Sequence, residues 1–362
     1  MATVRALLIV VFATTIGPSA LASAQTDGTL SEMFRAWCAP CHAEDASGRV
    51  PNPTVKTKPI DFTDCKASTP EPDADWELVI ARGGPAAGLS SEMPAFGDAL
   101  GSQTVKDLVQ YLRTFCGEEG WPHGNLNFPR PIFTAKAFPE NEVVIAPSLS
   151  HRGLRYPRFR LHGKFEKRFG KRGHIEIGLP VETIGWPYGR AIGVGDVAVA
   201  SKYVLHADPQ ANRIVTGGLE LSLATGDTTW GFGRGSAVFE PYLAAGVFWR
   251  GLYVQSECRL ELILNPLERG EGRRELVYNV YVGRDLARGG DASTVGVELN
   301  GLVSRLHRLT AITPQVKKGL TRSGALAAGA GVRVPLNDPR RQPAQWIGYL
   351  LWEYLEPVRG RP

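Results

Sequence analysis

The chain has 362 residues and a formal net charge of +5, which is divided unevenly along its length. Residues 25–116 carry 13 acidic and 8 basic side chains, whereas residues 117–362 carry 23 acidic and 32 basic ones. The basic residues of the second part are spread through alternating segments and are not gathered with aromatic residues into a patch, so we expect no nucleic-acid partner. Because the sequence contains neither G-x-S-x-G nor H-E-x-x-H, and we find no other catalytic set, we expect no enzyme.

The first 24 residues have the organisation of a secretory signal peptide. Arg5 precedes an apolar run over residues 6–16, and Ala22-Ser23-Ala24 supplies an A-x-A cleavage signal. The run is too short to span a membrane as a helix. We therefore expect the protein to be exported and residues 1–24 to be removed.

Cys38-Ala39-Pro40-Cys41-His42 has the C-x-x-C-H spacing of an attachment site for c-type haem. Each thiol can form a thioether to a haem vinyl group, and His42 is then placed to bind the iron. The alternatives are a zinc site and a redox pair of thiols. Zinc would need a second pair of nearby ligands, whereas Cys65 stands alone and no other histidine precedes His123. The motif predicts one covalently attached haem.

Met93 is the candidate for the second iron ligand. Of the other two methionines, Met1 is the initiator and Met33 lies five residues before Cys38, on the segment leading into the motif. A thioether opposite an imidazole raises the haem potential and fills the sixth coordination position, which favours electron transfer over catalysis at the iron. The alternatives are a methionine that only fills the core and a bis-histidine site that uses His123.

Apolar residues at helical spacing lie on both sides of these motifs. They are Leu30, Met33, Phe34 and Trp37 before Cys38, and Val105, Leu108, Leu112 and Phe115 farther along. We expect a helix at each place, with Tyr111 and Leu112 facing Phe34 where the two helices cross. A short helix is predicted between them over residues 75–82, starting at Asp73 or Asp75 and ending at Gly83-Gly84.

With these motifs, residues 27–116 resemble the class I monohaem cytochromes c. That family combines an N-terminal helix running into C-x-x-C-H, a methionine-proline loop, and a C-terminal helix packed against the first. The resemblance implies an all-α domain in which Cys38 and Cys41 hold the haem and His42 and Met93 ligate the iron. It also implies a proline carbonyl that orients the proximal histidine. The candidates for that carbonyl are Pro51, Pro53 and Pro59.

Three cysteines remain once two are assigned to the haem. In an oxidising compartment Cys65 and Cys116 can pair and clamp a loop to the end of the last cytochrome helix. The alternative is that both are unpaired packing residues. Cys258 lies in an alternating apolar stretch and is expected to be an inert strand residue.

A linker follows the cytochrome domain, which we place at residues 25–118. Residues 117–139 contain four prolines and three glycines, a composition typical of a domain boundary. Residues 125–130 carry too many apolar side chains for disorder, so we expect an ordered strap there. We place the linker at residues 119–148.

From about Phe159 onward the apolar period changes from helical to two. The clearest alternating segments are residues 175–181, 219–223, 260–264, 295–299 and 332–334. Turn-rich breaks separate these segments, and we count about ten to twelve strands in residues 149–362. Each strand has one apolar face, which suits a soluble β-sandwich as well as an outer-membrane barrel.

Three observations favour an antiparallel outer-membrane β-barrel. The array has the length of ten to twelve spanning strands, the polar face carries the charges and glycines of a wet lumen, and aromatic residues lie toward strand ends. These aromatic residues are Tyr203, Phe239, Tyr242, Trp249, Tyr253, Tyr281, Trp346, Trp352 and Tyr354. The segment also resembles the porin-like barrels that follow cytochrome domains in some outer-membrane proteins, although it finishes on residues 356–362 instead of an aromatic residue.

We therefore expect a c-type cytochrome for electron transfer that is tethered to, or crosses, the outer membrane through its barrel. The whole chain resembles the fused cytochrome-porins of iron-oxidising bacteria, which implies a redox partner protein or an extracellular electron donor or acceptor. The cytochrome domain is expected at the periplasmic mouth. One haem there does not span about 30 Å of hydrocarbon, so a conduit needs a partner that carries haem on the other side.

Two alternatives stay open from the sequence. One is a periplasmic electron carrier with a soluble β-domain. The other is a barrel that transports a solute and whose haem domain senses or gates.

Overall fold

The computed structural model describes residues 26–49, 55–150, 157–185, 189–264, 274–286, 292–305, 307–339 and 343–354. The predicted signal peptide, residues 1–24, lies outside the described residues, and so do Pro51 and Pro53. The described residues form a helical N-terminal domain followed by a single β-sheet.

Five α-helices occur among the described residues of the N-terminal domain. They are α1 (Thr26–Met33), α2 (Ala39–His42), α3 (Cys65–Ser68), α4 (Asp73–Arg82) and α5 (Gly97–Arg113). A π-helical turn, Phe34–Cys38, joins α1 to α2, and α5 is interrupted at Gly101, whose φ of 72° favours glycine. None of the helices in the described part of the chain is both long and apolar enough to cross a membrane.

The helical domain has an apolar core at the crossing of its first and last helical segments. The ring centroid of Phe34 lies 5.8 Å from that of Tyr111 and 5.2 Å from that of Phe115, and Leu112 belongs to the same buried cluster. The predicted helix crossing is confirmed. The expected disulfide is also present, because Cys65 is bonded to Cys116.

The C-terminal domain is a closed antiparallel barrel of twelve strands with a short thirteenth strand at its edge. The strands are β1 (Glu142–Ser150), β2 (Arg158–Phe169), β3 (Gly173–Ile184), β4 (Ala191–Val194), β5 (Ala198–Asp208), β6 (Arg213–Ser222), β7 (Val238–Trp249), β8 (Leu252–Ile263), β9 (Arg274–Asp285), β10 (Ser293–Val303), β11 (Arg308–Gly319), β12 (Leu326–Pro335) and β13 (Gln345–Glu353). Neighbours along the chain pair with one another, except that β3 pairs with β5 and β4 pairs only with the end of β3. The pairing of β1 with β13 closes the barrel.

The first strand begins earlier than the sequence indicated. The linker was expected over residues 119–148, but β1 starts at Glu142. Four consecutive apolar residues, 143–146, and Pro147 within β1 hide the alternation that marks the other strands.

The barrel turns its apolar side chains outward and its charged side chains inward. Leu243 is 56% exposed and Ile177 51% exposed, whereas Glu142, Glu166 and Glu298 are at most 1% exposed. A soluble sandwich packs its apolar faces against each other in a core, so the arrangement here is the reverse. It is the arrangement of a barrel whose outer surface meets hydrocarbon.

The aromatic residues divide between the two faces. Trp249, Trp346 and Trp352 are exposed near strand ends, as expected for interfacial residues, whereas Tyr203 is exposed in the middle of β5. Tyr242, Tyr253 and Tyr281 were expected among the interfacial residues, but they lie inside the barrel. Tyr281 is buried over glycines of β9 and β10, Tyr242 lies against Arg259, and Tyr253 packs against Phe128. Because successive side chains along a strand point to opposite faces, a shift of one residue places a side chain on the other face.

The two ends of the barrel have different connections. At the end that adjoins the helical domain, residues 170–172 join β2 to β3, residues 209–212 join β5 to β6, and residues 250–251 join β7 to β8. At the opposite end, residues 223–237 join β6 to β7, and residues 185–197, which include β4, join β3 to β5. The wholly described turns at the helical-domain end, which also include residues 320–325, are therefore shorter than the wholly described connection 223–237 at the opposite end.

The chain between the two domains enters the barrel. Residues 126–140, called the plug below, lie inside the lumen before the chain returns to the same end and begins β1. The two ends of the plug pack against the inner wall through an apolar cluster. Its buried members are Leu126, Phe128, Ala137, Phe138, Val204, Ile214 and Ala244. The prediction of an ordered strap is confirmed, and the strap continues into the lumen.

Candidate functional site

The C-x-x-C-H motif occupies two joined helical turns. Cys38 ends the π-helical turn, and Cys41 and His42 lie in α2. Pro40 is tolerated in the first turn of α2, where a backbone N–H group has no intrahelical partner to lose. Ala43, with a φ of 65°, ends the helix immediately after His42. The two thiols and the imidazole are therefore fixed on one short, well-defined element.

The thiols of Cys38 and Cys41 are half-buried and are not bonded to each other. Burial, followed by the neighbouring Cys41, raises the pKa of the Cys38 thiol to about 11. Redox-active thiols usually have a lowered pKa, because the thiolate is the reactive form. This environment is unlike that of a redox pair and is compatible with thiols that are consumed in thioether bonds.

The imidazole of His42 lies in an aromatic environment. Its ring centroid is 5.3 Å from that of Phe62, which in turn is 5.0 Å from that of Trp76. Burial lowers the pKa of His42, and the backbone of Ile60 partly opposes this shift. The neutral imidazole that burial favours is the form that binds a metal.

A proline carbonyl was expected to orient the imidazole of His42, but no such contact is found within the described residues. The Nδ1 atom of His42 is buried and makes no hydrogen bond of standard geometry within the described residues. The backbone group that acts on the imidazole belongs to Ile60, the residue after Pro59.

Met93 lies in the loop between α4 and α5, and two glycines hold this loop in place. The backbone N–H of Gly84 donates to the Met93 carbonyl over 2.9 Å. A Cβ atom on Gly84 would lie 2.1 Å from the Ser90 carbonyl oxygen, so no larger residue fits there. Gly83 has a φ of 79°, which also favours glycine. The Gly83-Gly84 pair that ends α4 thus also fixes the methionine loop.

Glu92 ties the methionine loop to a distant segment. Its carboxylate accepts backbone N–H groups from Thr57 at 2.7 Å and from Lys56 at 3.1 Å. These two hydrogen bonds, first that of Thr57 and then that of Lys56, lower the pKa of Glu92. This contact could not be predicted from local sequence patterns, because the partners are 35 and 36 positions apart.

The surroundings of these residues fit a haem. Cys38 and Met93 both pack against the apolar core of the helical domain, as partly buried residues. Trp37 and Leu89 are 44% and 56% exposed although both are large and apolar. Trp37 directly precedes Cys38, and Leu89 lies in the same loop as Met93, so both are next to the candidate haem-binding residues. Two free thiols, a neutral imidazole, a thioether and an apolar surround are together in one small domain.

Comparison with known proteins identifies this domain. Residues 26–112 match the family model described as cytochrome C oxidase, cbb3-type, subunit III. These residues form a cytochrome c domain. The predicted class of the N-terminal domain is confirmed, and a cytochrome c domain implies haem c.

Solved structures similar to the chain are barrels. The COG4313 outer membrane channel from Pseudomonas putida F1 is 12% identical, with 63% of this chain and 100% of that chain covered and a TM-score of 0.46. The KdgM porin is 11% identical, with 59% of this chain and 99% of that chain covered and a TM-score of 0.41. No curated protein matches the chain.

The family match of residues 26–112, with the closed barrel and apolar outer face of the C-terminal domain, confirms the predicted fusion of a cytochrome c domain with a porin-like β-barrel. Their combination indicates a haem-containing electron-transfer protein in the outer membrane, since barrels with an apolar outer face belong to that membrane.

Asp73, at the start of α4, joins the cytochrome domain to the strap that leads into the barrel. Its carboxylate accepts from Arg113 Nε and from Asn125 Nδ2, each over 2.9 Å, and its backbone N–H donates to Asn125 Oδ1 over 2.8 Å. Burial alone would raise the pKa of Asp73, but hydrogen bonds from His123 and Asn125 hold it well below its usual range. From the sequence, Asp73 was predicted only as a possible helix start, and this junction was not predicted.

Proposed function

We propose that the protein is a c-type cytochrome with one covalently attached haem, held by Cys38 and Cys41 and ligated by His42 and Met93. The observation that carries this proposal is that all four donors lie in one domain, on elements that fix them tightly. A haem with imidazole and thioether ligands exchanges single electrons and leaves no coordination position open for a substrate.

The residues around the four donors keep this arrangement rigid. The glycine pair and Glu92 hold the methionine loop, while α2 and the ring of Phe62 hold His42. A rigid site changes little between its two oxidation states, which suits electron transfer. Nothing in this assignment needs an acid, a base or a nucleophile, so the function proposed is not enzymatic.

The cytochrome domain lies on the periplasmic side in this proposal. Outer-membrane barrels have short turns at the periplasmic end and longer loops outside. The domain adjoins the end with the short described turns, and it contacts that end directly. Lys171 pairs with the Glu118 carboxylate over 3.2 Å, and in the adjoining linker Arg172 donates to the Gly120 carbonyl over 2.9 Å.

The most direct role for such a protein is a relay anchored at the periplasmic face of the outer membrane. The plug occupies the lumen, and the four haem-binding residues lie outside the strands, so a single haem does not reach the outer surface. The excess of acidic residues in the cytochrome domain suits a redox partner protein with a basic surface. A conduit to an extracellular donor or acceptor would need a further redox carrier.

Fractionation combined with a stain for covalent haem tests the proposal. The wild-type protein should sediment with outer membranes, resist extraction by salt, migrate differently after heating, and keep its haem on a denaturing gel. The Cys38→Ser/Cys41→Ser variant should reach the same membrane but lose the haem stain. Full stain in this variant would overturn covalent attachment, and recovery of the wild-type protein from the soluble periplasm would overturn the membrane assignment.

A further inference from the structure

The middle of the plug, residues 130–136, is bound to the barrel wall in an unusual way. The buried carboxylate of Glu298 on β10 accepts three consecutive backbone N–H groups, from Ile132 at 2.7 Å, Phe133 at 3.0 Å and Thr134 at 2.8 Å. The Thr134 hydroxyl donates to it as well, over 2.8 Å. Successive N–H groups that converge on one anion form a nest, here around a side chain of the wall.

The other contacts of this segment also use wall side chains. Glu257 accepts the N–H of Ala135 over 3.0 Å, Tyr349 donates to the carbonyl of Arg130 over 3.0 Å, and Lys202 donates to the carbonyl of Lys136 over 2.9 Å. Within the described residues, no backbone–backbone hydrogen bond joins the plug to a strand. The strand ladder of the barrel is complete without the plug, so the plug can move without breaking it.

The charged groups around residues 130–136 also indicate that this segment can move. Arg130 pairs with Glu166 over 2.6 Å and also with Glu142, and Lys136 pairs with Glu140. Buried ion pairs add little net stability, because the desolvation of the charges offsets their attraction. If the segment leaves, water can solvate these groups again. A cavity of about 140 Å³ already lies beside it, lined in part by Lys164, Glu176 and Arg259.

The two ends of the plug differ from its middle. Phe128 and Phe138 are buried in the apolar cluster against the wall, so the ends are anchored. Between them, Ile132 packs on an apolar patch of the wall and Ala135 touches the edge of the apolar cluster, while the other contacts of residues 130–136 given above are polar. This contrast predicts a segment that moves between two fixed points.

We propose that residues 130–136 are a gate that closes the barrel, that Glu298 is its latch, and that the open barrel conducts small cations. This activity goes beyond electron transfer. Movement of the gate takes the guanidinium of Arg130 and the bound N–H groups away from Glu142, Glu166, Glu257 and Glu298. Carboxylates that face a water-filled pore make it selective for cations.

Single-channel recording of the full-length holoprotein in planar bilayers tests the gate. The wild-type protein should be closed for most of the record. In Glu298→Gln, an amide N–H2 group replaces one carboxylate oxygen and faces the N–H donors of the gate, so the open fraction should rise about tenfold. The reversal potential in a gradient of potassium chloride should show preference for potassium. The matched control is Glu261→Gln, a lumen carboxylate paired with Arg234, which should behave as wild type.

Thiol labelling provides a second measurement that does not depend on conductance. In a Cys258→Ser background, Ala135→Cys should react faster with a membrane-impermeant reagent when Glu298→Gln is added, and not when Glu261→Gln is added. Heat-modifiable migration would verify that each barrel is folded. Equal conductance and equal labelling in the wild type and both variants would show that the segment is a permanent filler. An open pore that prefers chloride would overturn the cation assignment.

Discussion

Phe34 in the cytochrome domain and Glu166 in the barrel are both 1% exposed, while Leu243 on the barrel wall is 56% exposed. The two domains therefore bury opposite kinds of side chain. The first domain has the apolar interior of a protein folded in water, where removal of apolar surface from solvent is the main driving force. The second has the polar interior and apolar exterior of a protein folded in a bilayer.

This difference shows that the two domains of one chain are stabilised in different solvents, water and lipid, by different interactions. In the bilayer the apolar surface already lies in a favourable medium, and the closed strand ladder satisfies the backbone groups that lipid cannot. In the cytochrome domain, core packing and a disulfide hold the elements together. A change that weakens one domain should accordingly leave the other nearly intact.

The largest expected effect comes from the Cys65–Cys116 disulfide, which should stabilise only the cytochrome domain. A bridge that closes a loop of 51 residues is expected to contribute about 4 kcal/mol to the free energy of unfolding. In Cys65→Ser/Cys116→Ser, haem absorbance in guanidinium should report earlier unfolding of this domain. Heat-modifiable migration of the barrel should be unchanged, and a parallel loss of the barrel would mean that the domains fold as one unit.

A charge placed on the lipid-facing side of the barrel should destabilise the protein far more than the same charge placed on the lumen side. Leu243→Arg puts a cation near the middle of the lipid-facing surface and should cost about 2 to 4 kcal/mol. Ser222→Arg puts the same group on the lumen side, beside Glu240, and should cost far less. Unfolding by urea in lipid vesicles gives both values, and equal costs would contradict the inverted polarity of the sheet.

The junction between the domains should depend on the charge of Asp73. Asp73→Asn removes a carboxylate that Arg113 and Asn125 bind, so the cytochrome domain should lose about 2 kcal/mol of stability. Because the folded-state pKa of Asp73 lies below the unfolded value, this contribution is present above the unfolded pKa and is lost as the pH falls below it. Asp98→Asn, in the first turn of α5, is the matched control and should change little.

Glu71, close to Asp73 in sequence, should show the opposite pH dependence and a smaller effect. Burial, followed by the charges of Asp75 and Glu353, raises the pKa of Glu71 to about 7, and Arg113 opposes this. The folded state therefore holds the proton more tightly, so stability falls as the pH rises from the unfolded pKa to about 7. Glu71→Gln should match the wild type at pH 4 and be more stable at pH 8. If the melting curves of the two proteins are the same at both pH values, the raised pKa of Glu71 is contradicted.

The elements that could be predicted from the sequence are those set by local spacing. The C-x-x-C-H motif, the short helix that ends at Gly83, and the alternation in β3 are each encoded within about ten residues. Such patterns follow directly from the periods of helices and strands. The helix crossing at Phe34 was also predicted, because the family resemblance supplied that long-range arrangement. The disulfide from Cys65 to Cys116 was one of two alternatives that the sequence and the oxidising compartment left open.

The plug could not be predicted, because its contacts are distant in sequence. Glu298 is 166 positions from Ile132, and nothing near either residue indicates the other. Asn125 and Asp73, which tie the strap to the cytochrome domain, are 52 positions apart. Tyr281 was assigned to the wrong face for a related reason, since an aromatic residue near a strand end does not reveal its parity.

The central claim is that a haem ligated by His42 and Met93 lies in the cytochrome domain. The absorption spectrum of the purified ferric protein tests it most directly, with Met33→Ala as the control for Met93→Ala. We predict that the weak long-wavelength band of sulfur ligation is present in the wild type and in Met33→Ala and absent in Met93→Ala. Carbon monoxide should then bind the ferrous form of Met93→Ala more readily. An unchanged band in Met93→Ala, or its loss in Met33→Ala, would contradict the assignment.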